Sequence, residues 1–205
     1  MIAAGSSAPA GVHHRHGYRQ DKAVLIVRAT GKLLQRLSRP TLREGEGATT
    51  LLGEWYATIL FWRPQVALLV NEPTLLPVLM PLAPAATLLA RIPEQIAAAL
   101  SAHGASASIV DEETQRMRDW RLGSTANRSV VGIMNEFTYL AEAWRRDQPQ
   151  PDLHALALWL ATTPCGPLYR KHISPDRELA AILRSIAEAS LDGDRGPGPD
   201  GSDSP

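Results

Sequence analysis

Segment 54–82 consists of three apolar runs separated by two short polar turns, and it constrains the fold more than any other part of the chain. The turns are Arg63-Pro64-Gln65 and Asn71-Glu72-Pro73. Short apolar runs bounded by proline and polar residues are typical of β-strands joined by tight turns. A membrane-spanning helix instead needs about 20 apolar residues without such interruptions. The segment therefore predicts a three-stranded meander in a folded core.

The first and third runs of the meander also indicate where each strand lies in the sheet. In 54–62 every second residue is apolar, which predicts one face of a strand turned to the core: Trp55, Ala57, Ile59 and Phe61. The third run, 75–82, has Pro77 and Pro81 on the same pleat face. Proline cannot donate a ladder hydrogen bond, so this strand is predicted at a sheet edge with one free side.

Two further strands and several helices complete the expected domain. Residues 23–28 and 120–124 indicate strands, which gives about five strands in all. Apolar spacing and capping residues predict helices at 31–37, 88–103, 111–118, 128–146, 152–162 and 175–190. Pro93 is expected to bend or split the second of these helices. The predicted fold class is a single α+β domain with a small, mostly antiparallel sheet packed against several helices.

The two ends of the chain differ in composition from the middle. Residues 1–21 and 191–205 are rich in Gly, Pro, Ser and charged groups and hold few large apolar side chains. Such segments cannot bury enough surface to offset chain entropy. We therefore expect a disordered tail at 1–21, one domain at 22–190, and a disordered acidic tail at 191–205.

Cys165 is the only cysteine of the sequence, so no intrachain disulfide is possible. A chain without disulfides is typical of a reducing compartment. The start of the sequence also lacks the continuous apolar stretch of a secretory signal. These features predict a cytoplasmic protein that does not enter a membrane.

Several motifs resemble a bacterial domain-of-unknown-function family, the one numbered six-nine-three-three. The resemblance lies in Leu52-Gly53-Glu54-Trp55-Tyr56-Ala57, in Leu69-Val70-Asn71-Glu72-Pro73-Thr74-Leu75-Leu76-Pro77-Val78, and in Thr125-Ala126-Asn127-Arg128-Ser129-Val130-Val131-Gly132-Ile133-Met134-Asn135-Glu136-Phe137. The motif Asn127-Arg128-Ser129 at a helix start is its most specific part. The resemblance covers roughly residues 23–183 and implies one domain over that range, but it carries no activity or ligand with it.

The segment 125–135 is the best candidate for a binding site. Backbone N–H groups at a helix start, with a neighbouring arginine, suit a phosphate or carboxylate. The candidate ligand-binding residues are Thr125, Asn127, Arg128, Ser129, Gly132 and Asn135. On a helical wheel Arg128, Gly132, Asn135 and Tyr139 share one stripe away from the apolar face. In the structural alternative, Asn127 caps the helix, Arg128 ties down a loop and Gly132 lets a neighbour pack closely.

A basic segment near the start of the domain supports a second interpretation. Its cations are Arg28, Lys32, Arg36, Arg39 and Arg43. Lys32 and Arg36 lie one helical turn apart, a spacing that fits a surface facing nucleic-acid phosphates. A solvated charged face is the structural alternative, since the sequence shows no recognition helix or pattern of stacking aromatic residues.

Two other parts of the sequence contain reactive residues. His13, His14 and His16 have the density of a metal-binding tract, but no second ligand cluster accompanies them. Cys165 and His172 are a formal nucleophile and base, although Pro164 and Pro167 favour a structural turn there. Zinc, phosphate-loop and dinucleotide signatures are absent, so neither a metal nor a cofactor is predicted.

The sequence favours a non-catalytic binding or protein-interaction module, because it combines a large core with few convergent polar groups. A protein partner or a second copy of the chain would contact the edge strand 75–82 or the helix face 127–135. Nucleic-acid binding through 28–43, in a regulatory or toxin-antitoxin setting, is the alternative. An enzyme acting on a small anionic substrate near Arg128 is the third interpretation.

Overall fold

The computed structural model describes residues 24–37 and 39–193. Its five-stranded sheet has the order β4-β3-β2-β1-β5. The strands are β1 (Val24–Ala29), β2 (Trp55–Leu60), β3 (Val66–Asn71), β4 (Pro77–Pro81) and β5 (Asp119–Ser124). The predicted disorder of residues 1–21 and the histidine tract at 13–16 lie outside the described residues, as does the predicted acidic tail beyond residue 193.

The five strands confirm the predicted α+β fold class, whereas the sheet that was predicted to be mostly antiparallel is mixed, with two antiparallel and two parallel strand pairs. Strands β2, β3 and β4 form the predicted antiparallel meander. Strand β1 lies between β2 and β5 and is parallel to both. The connections explain why β1, β2 and β5 are parallel. The segments that join β1 to β2 and β4 to β5 contain helices and long loops, and they return the chain to the same end of the sheet before the next strand begins.

Six α-helices flank the sheet in the described part of the chain. They are α1 (Gly31–Leu34), α2 (Leu88–Ala102), α3 (Ala107–Arg116), α4 (Arg128–Asp147), α5 (Leu153–Ala161) and α6 (Pro175–Gly193). Helix α2 runs through Pro93 without being split, contrary to one predicted outcome. Helix α3 begins before the predicted Asp111, because Ser106 caps it by accepting from the Ile109 N–H. None of these helices has the length and apolar character needed to cross a bilayer.

Each face of the sheet has its own apolar core. One core holds the odd-numbered side chains of β2 together with α2, α3 and α6. The other holds Tyr56 and Leu60 of β2 together with α4 and α5. Both faces of β2 are therefore buried, more than the predicted single core face. Phe61 follows the last residue of β2 and is 58% exposed, so its predicted place in the core is wrong.

Both edges of the sheet are covered. Strand β4 is at an edge, as its prolines predict, but α5 packs along it. Helix α5 contributes Ala161 to one core and Leu156 to the other, as a helix lying beside an edge strand does. At the opposite edge the N–H groups of Thr41 and Leu42 donate to the Leu122 carbonyl oxygen. The predicted free side of strand 75–82 is wrong, because α5 occupies it.

Candidate functional site

Arg28 and Glu54 form an ion pair on the sheet face that α4 covers. The Arg28 Nε and Nη2 atoms donate to the two Glu54 carboxylate oxygens, and the Nη2 to Oε1 distance is 3.2 Å. Arg28 Nη1 also donates to the Ser124 carbonyl oxygen at 3.3 Å. The two side chains are only 20% and 18% exposed. A two-point pair of this kind fixes both groups in orientation and joins β1 to the chain entering β2.

Asn127 connects the beginning of α4 to the same sheet face. Its backbone N–H donates to the Tyr56 hydroxyl at 3.0 Å, and its Nδ2 donates to Glu72 Oε1 at 2.9 Å. Its Oδ1 accepts from the N–H groups of Ser129 and Val130, which is the predicted N-cap. We call Arg28, Glu54, Tyr56, Glu72 and Asn127 the anchor cluster: Tyr56 and Glu72 bond Asn127 at the start of α4, and the pair of Arg28 and Glu54 lies near them.

The environment of the anchor cluster shifts two of its pKa values. The hydrogen bond from Arg28 to Glu54 raises the pKa of Arg28 above its ordinary value. Burial raises the pKa of Tyr56, while the hydrogen bond from the Asn127 N–H acts in the opposite direction. Arg28 is therefore held as a cation and Tyr56 as a neutral phenol at neutral pH.

The anchor cluster uses its polar groups within the protein. Of its five members, only Arg28 and Asn127 belong to predicted binding sets, and Asn127 makes the capping bonds of the structural alternative. Sequence reasoning missed Glu54, Tyr56 and Glu72 as parts of this arrangement. A signal was present, because each is a polar residue within or beside an apolar strand and lies in a motif that carries the family resemblance.

The other predicted ligand-binding residues lie at the start of α4 and along its outer surface. Thr125 is half-buried before the helix, while Arg128, Ser129, Gly132 and Asn135 are exposed on it. We call Arg128, Gly132, Asn135 and Tyr139 the exposed stripe. Tyr139 is 71% exposed. A Cβ added at Gly132 would meet no atom within 4 Å, so no neighbouring element among the described residues packs against this glycine.

The structure separates the predicted nucleic-acid-binding cations. Arg28 belongs to the anchor cluster, whereas Lys32, Arg36, Arg39 and Arg43 are exposed. Arg36 lines a cleft of about 360 Å³, and Arg43 lines another of about 440 Å³ with Arg121. Trp120 lines both clefts, and its side chain is partly buried against the core on that face of the sheet.

Cys165 and His172 do not form a nucleophile and base. The Cys165 thiol is buried and donates to the Thr163 carbonyl oxygen, and burial raises its pKa to about 12. His172 Nδ1 lies 2.7 Å from Oε2 of Glu178. The other carboxylate oxygen of Glu178 accepts from Lys171. A thiol with this pKa stays protonated at neutral pH and is a poor nucleophile. Among residues 24–37 and 39–193, no group of three or more His, Cys, Asp or Glu side chains could hold a metal ion.

The fold is an α+β domain with a mixed sheet, and Asn127 at the start of α4 is hydrogen-bonded to Tyr56 of β2 and to Glu72, which follows β3. The family model described as Domain of unknown function (DUF6933) matches residues 26–178. The chain therefore belongs to this family. No curated protein and no solved structure matches the chain.

Proposed function

We propose that this chain is a non-catalytic protein-interaction module that presents the exposed stripe of α4 to another protein surface. The main observation behind the proposal is the position of Gly132 on an open face of the helix. A glycine inside a helix costs about 1 kcal/mol relative to alanine, yet the space beside Gly132 is open. No contact within the described chain uses the missing side chain. Close approach by an external surface is the use that a mid-helix glycine on an open face supports.

Tyr139 supports the same surface from the next turns of the helix. It is the most exposed of the large hydrophobic residues in the described part of the chain. Tyrosine and arginine are enriched where protein surfaces meet, because each combines apolar area with polar groups. The exposed stripe therefore contains an arginine, an asparagine and a tyrosine around a glycine, a composition suited to contact with a protein.

The carboxylates of the anchor cluster and the thiol of Cys165 favour binding over catalysis. Glu54 and Glu72 are engaged by Arg28 and Asn127, so neither is poised as an acid or base beside an open cavity. Cys165 is buried with a raised pKa. General acid-base or nucleophilic chemistry needs such groups within reach of a substrate.

The test is photo-cross-linking in the native cells. A photoreactive phenylalanine analogue replaces Tyr139, and in a matched control it replaces Phe61, another exposed aromatic residue at a different place on the surface. We expect the probe at residue 139 to give a defined protein adduct that the probe at residue 61 does not give. Adding Gly132→Leu should abolish this adduct, because leucine fills the open space without disturbing the core.

Three results would contradict this proposal. They are the absence of a protein adduct at residue 139, the same adducts at both positions, and an adduct that persists in Gly132→Leu. Turnover of a substrate by the purified chain in a general hydrolase or nuclease panel would contradict the non-catalytic part of the proposal.

A second candidate function is nucleic-acid binding, and Trp120 is the observation that favours it. Proteins that bind single strands combine a positively charged groove with aromatic rings on which bases stack. Arg36 and Arg43 line two clefts that share Trp120, although Asp119 also lines the second cleft. In this candidate function Trp120 is the aromatic residue available for stacking, and Arg36 and Arg43 are the phosphate contacts.

Fluorescence anisotropy with a labelled single-stranded oligonucleotide tests this second candidate. Binding should weaken as salt rises, and the double variant Arg36→Glu with Arg43→Glu should lose it. The double variant Arg146→Glu with Arg170→Glu, which changes two exposed arginines elsewhere on the surface, is the charge-matched control. An absence of binding at low salt, or equal losses in both variants, would rule out this function for these residues.

A further inference from the structure

We infer that the surface which α4 contacts is α4 of a second copy of this chain, packed antiparallel around a twofold axis between Gly132 and Asn135. This inference rests on the proposed function, because it names the partner of the same exposed stripe. Its basis is that the stripe is complementary to itself when its direction is reversed.

The spacing of the stripe suits a straight antiparallel contact. Arg128 and Tyr139 are eleven positions apart on α4. With 3.6 residues per turn, eleven residues return to within about 20° of the same direction, and they span about 16 Å. Gly132 and Asn135 lie between them on the same side. The stripe therefore runs nearly parallel to the helix axis, so a second helix can follow it over three turns.

Reversal brings unlike groups together. An axis midway between Gly132 and Asn135 places Arg128 of one copy opposite Tyr139 of the other, and the contact occurs twice. A guanidinium over a tyrosine ring is a favourable cation–π arrangement. Glu136 lies within one turn of Tyr139, and both Arg128 and Glu136 are exposed. Neither belongs to an ion pair among the residues that the structure describes.

Gly132 has a specific role in this arrangement. It comes opposite Asn135 of the second copy close to the twofold axis, where two helices approach most closely. With no side chain and nothing within 4 Å of a Cβ position, it provides the space for the asparagine side chain. One helix face buries less area than a standard stable interface, so we infer a weak dimer whose population depends on protein concentration.

Disulfide trapping at the inferred axis is the direct experiment. Gly132→Cys places a thiol close to its own copy, and Ala102→Cys is a control at an exposed position of α2, on the other side of the sheet. Cys165 does not compete, because it is buried and its pKa is raised to about 12. Under mild oxidation we expect the Gly132→Cys dimer to form at least about tenfold faster than the control dimer. Equal rates would overturn the inference.

Sedimentation velocity over a range of protein concentrations gives an independent measurement without a new cysteine. The unmodified full chain should show a monomer–dimer equilibrium, and Tyr139→Ala should weaken it about tenfold because the contact is lost twice. Arg128→Glu should weaken it as well, and adding Glu136→Arg should restore it. A chain that stays monomeric up to about 1 mM, or a dimer unaffected by these variants, would overturn the inference.

The cross-linking experiment separates this inference from the proposed function. An adduct of twice the chain mass, containing two copies of α4, supports both. An adduct with a different protein that Gly132→Leu abolishes leaves the interaction module in place and overturns the second copy as its partner. The absence of any adduct at residue 139 overturns both.

Discussion

The inner and outer sides of α4 differ in how their residues are satisfied. On the inner side, Asn127 is bonded to Tyr56 and Glu72, and Phe137 is fully buried. On the outer side, Gly132 faces open space and Tyr139 is 71% exposed. The two sides come from one motif that is continuous in the sequence, yet one completes the domain and the other is exposed.

In our proposal this motif combines two tasks, fixing the helix to the sheet and binding another protein surface. The asparagine of Asn127-Arg128-Ser129 has its polar groups engaged within the protein, whereas the side chain of the neighbouring arginine extends into solvent. Stability measurements should respond to changes on the inner side and binding measurements to changes on the outer side. An inner-side variant that changes only binding, or an outer-side variant that changes only stability, would contradict this assignment.

Paired truncation of Phe137 and Tyr139 gives the largest expected contrast. Phe137→Ala should lower the free energy of unfolding by about 3–5 kcal/mol, because it leaves a cavity in the core under α4. Tyr139→Ala should change it by less than about 0.5 kcal/mol, because the ring is largely in solvent. Chemical denaturation of both variants measures the difference. Similar losses would mean that Tyr139 supports the fold.

Asn127 and Arg128 are neighbours that should behave differently. Asn127→Ala removes the N-cap and the hydrogen bond to Glu72, so we expect a loss of about 2 kcal/mol. Arg128→Ala should change stability by less than about 0.5 kcal/mol. Thermal unfolding of both variants measures this, and a destabilised Arg128→Ala would support the loop-fixing role that the sequence left open.

Removing one member of the Arg28–Glu54 pair tests the anchor cluster at the sheet. Arg28→Ala should cost about 1–2 kcal/mol, since it leaves a carboxylate that is only 18% exposed without its cation. The estimate stays below that for a fully buried pair because solvent still reaches both groups. Arg36→Ala is the exposed control and should have little effect. Equal denaturation midpoints for the two variants would show that the pair does not stabilise the fold.

Because of Tyr56, we expect the stability of the folded protein to depend on pH in the alkaline range. Its pKa is raised in the folded protein, so the folded state holds the phenol proton more tightly than the unfolded state does. Stability should therefore fall as pH rises above about 10, the ordinary value for tyrosine. Tyr56→Phe should cost about 1 kcal/mol at neutral pH through the lost hydrogen bond to Asn127 and should reduce the alkaline fall. Denaturation at several alkaline pH values measures both effects, and an unchanged fall would assign it to other groups.

Gly132→Ala should give the smallest effect, and its sign is opposite to the others. Alanine favours helix over glycine by about 0.5–1 kcal/mol, and nothing lies within 4 Å of the added Cβ. We expect a small rise in the denaturation midpoint. A loss of stability would show that the glycine serves the fold and would remove the main support for an external contact.

The sequence predicted the long helix 128–146 and its cap well, because apolar spacing, an asparagine and two terminal arginines agree there. It also predicted the meander, where turn residues mark each strand end. Of the candidate site, the wheel of α4 correctly gave the stripe that lies outward. The pairing of Arg28 with Glu54 was not predictable, since the two are 26 positions apart, one in β1 and the other just before β2.

Local patterns were enough to determine that the chain forms one α+β domain with an exposed stripe on α4, because periodicity and turn chemistry act between residues close in sequence. Only the tertiary structure decided that β1 lies parallel between β2 and β5, that α5 covers the edge of β4, and that Gly132 faces open space. These outcomes depend on contacts between distant segments, where burial and pairing on both sides of the sheet select one arrangement among many that the local patterns allow.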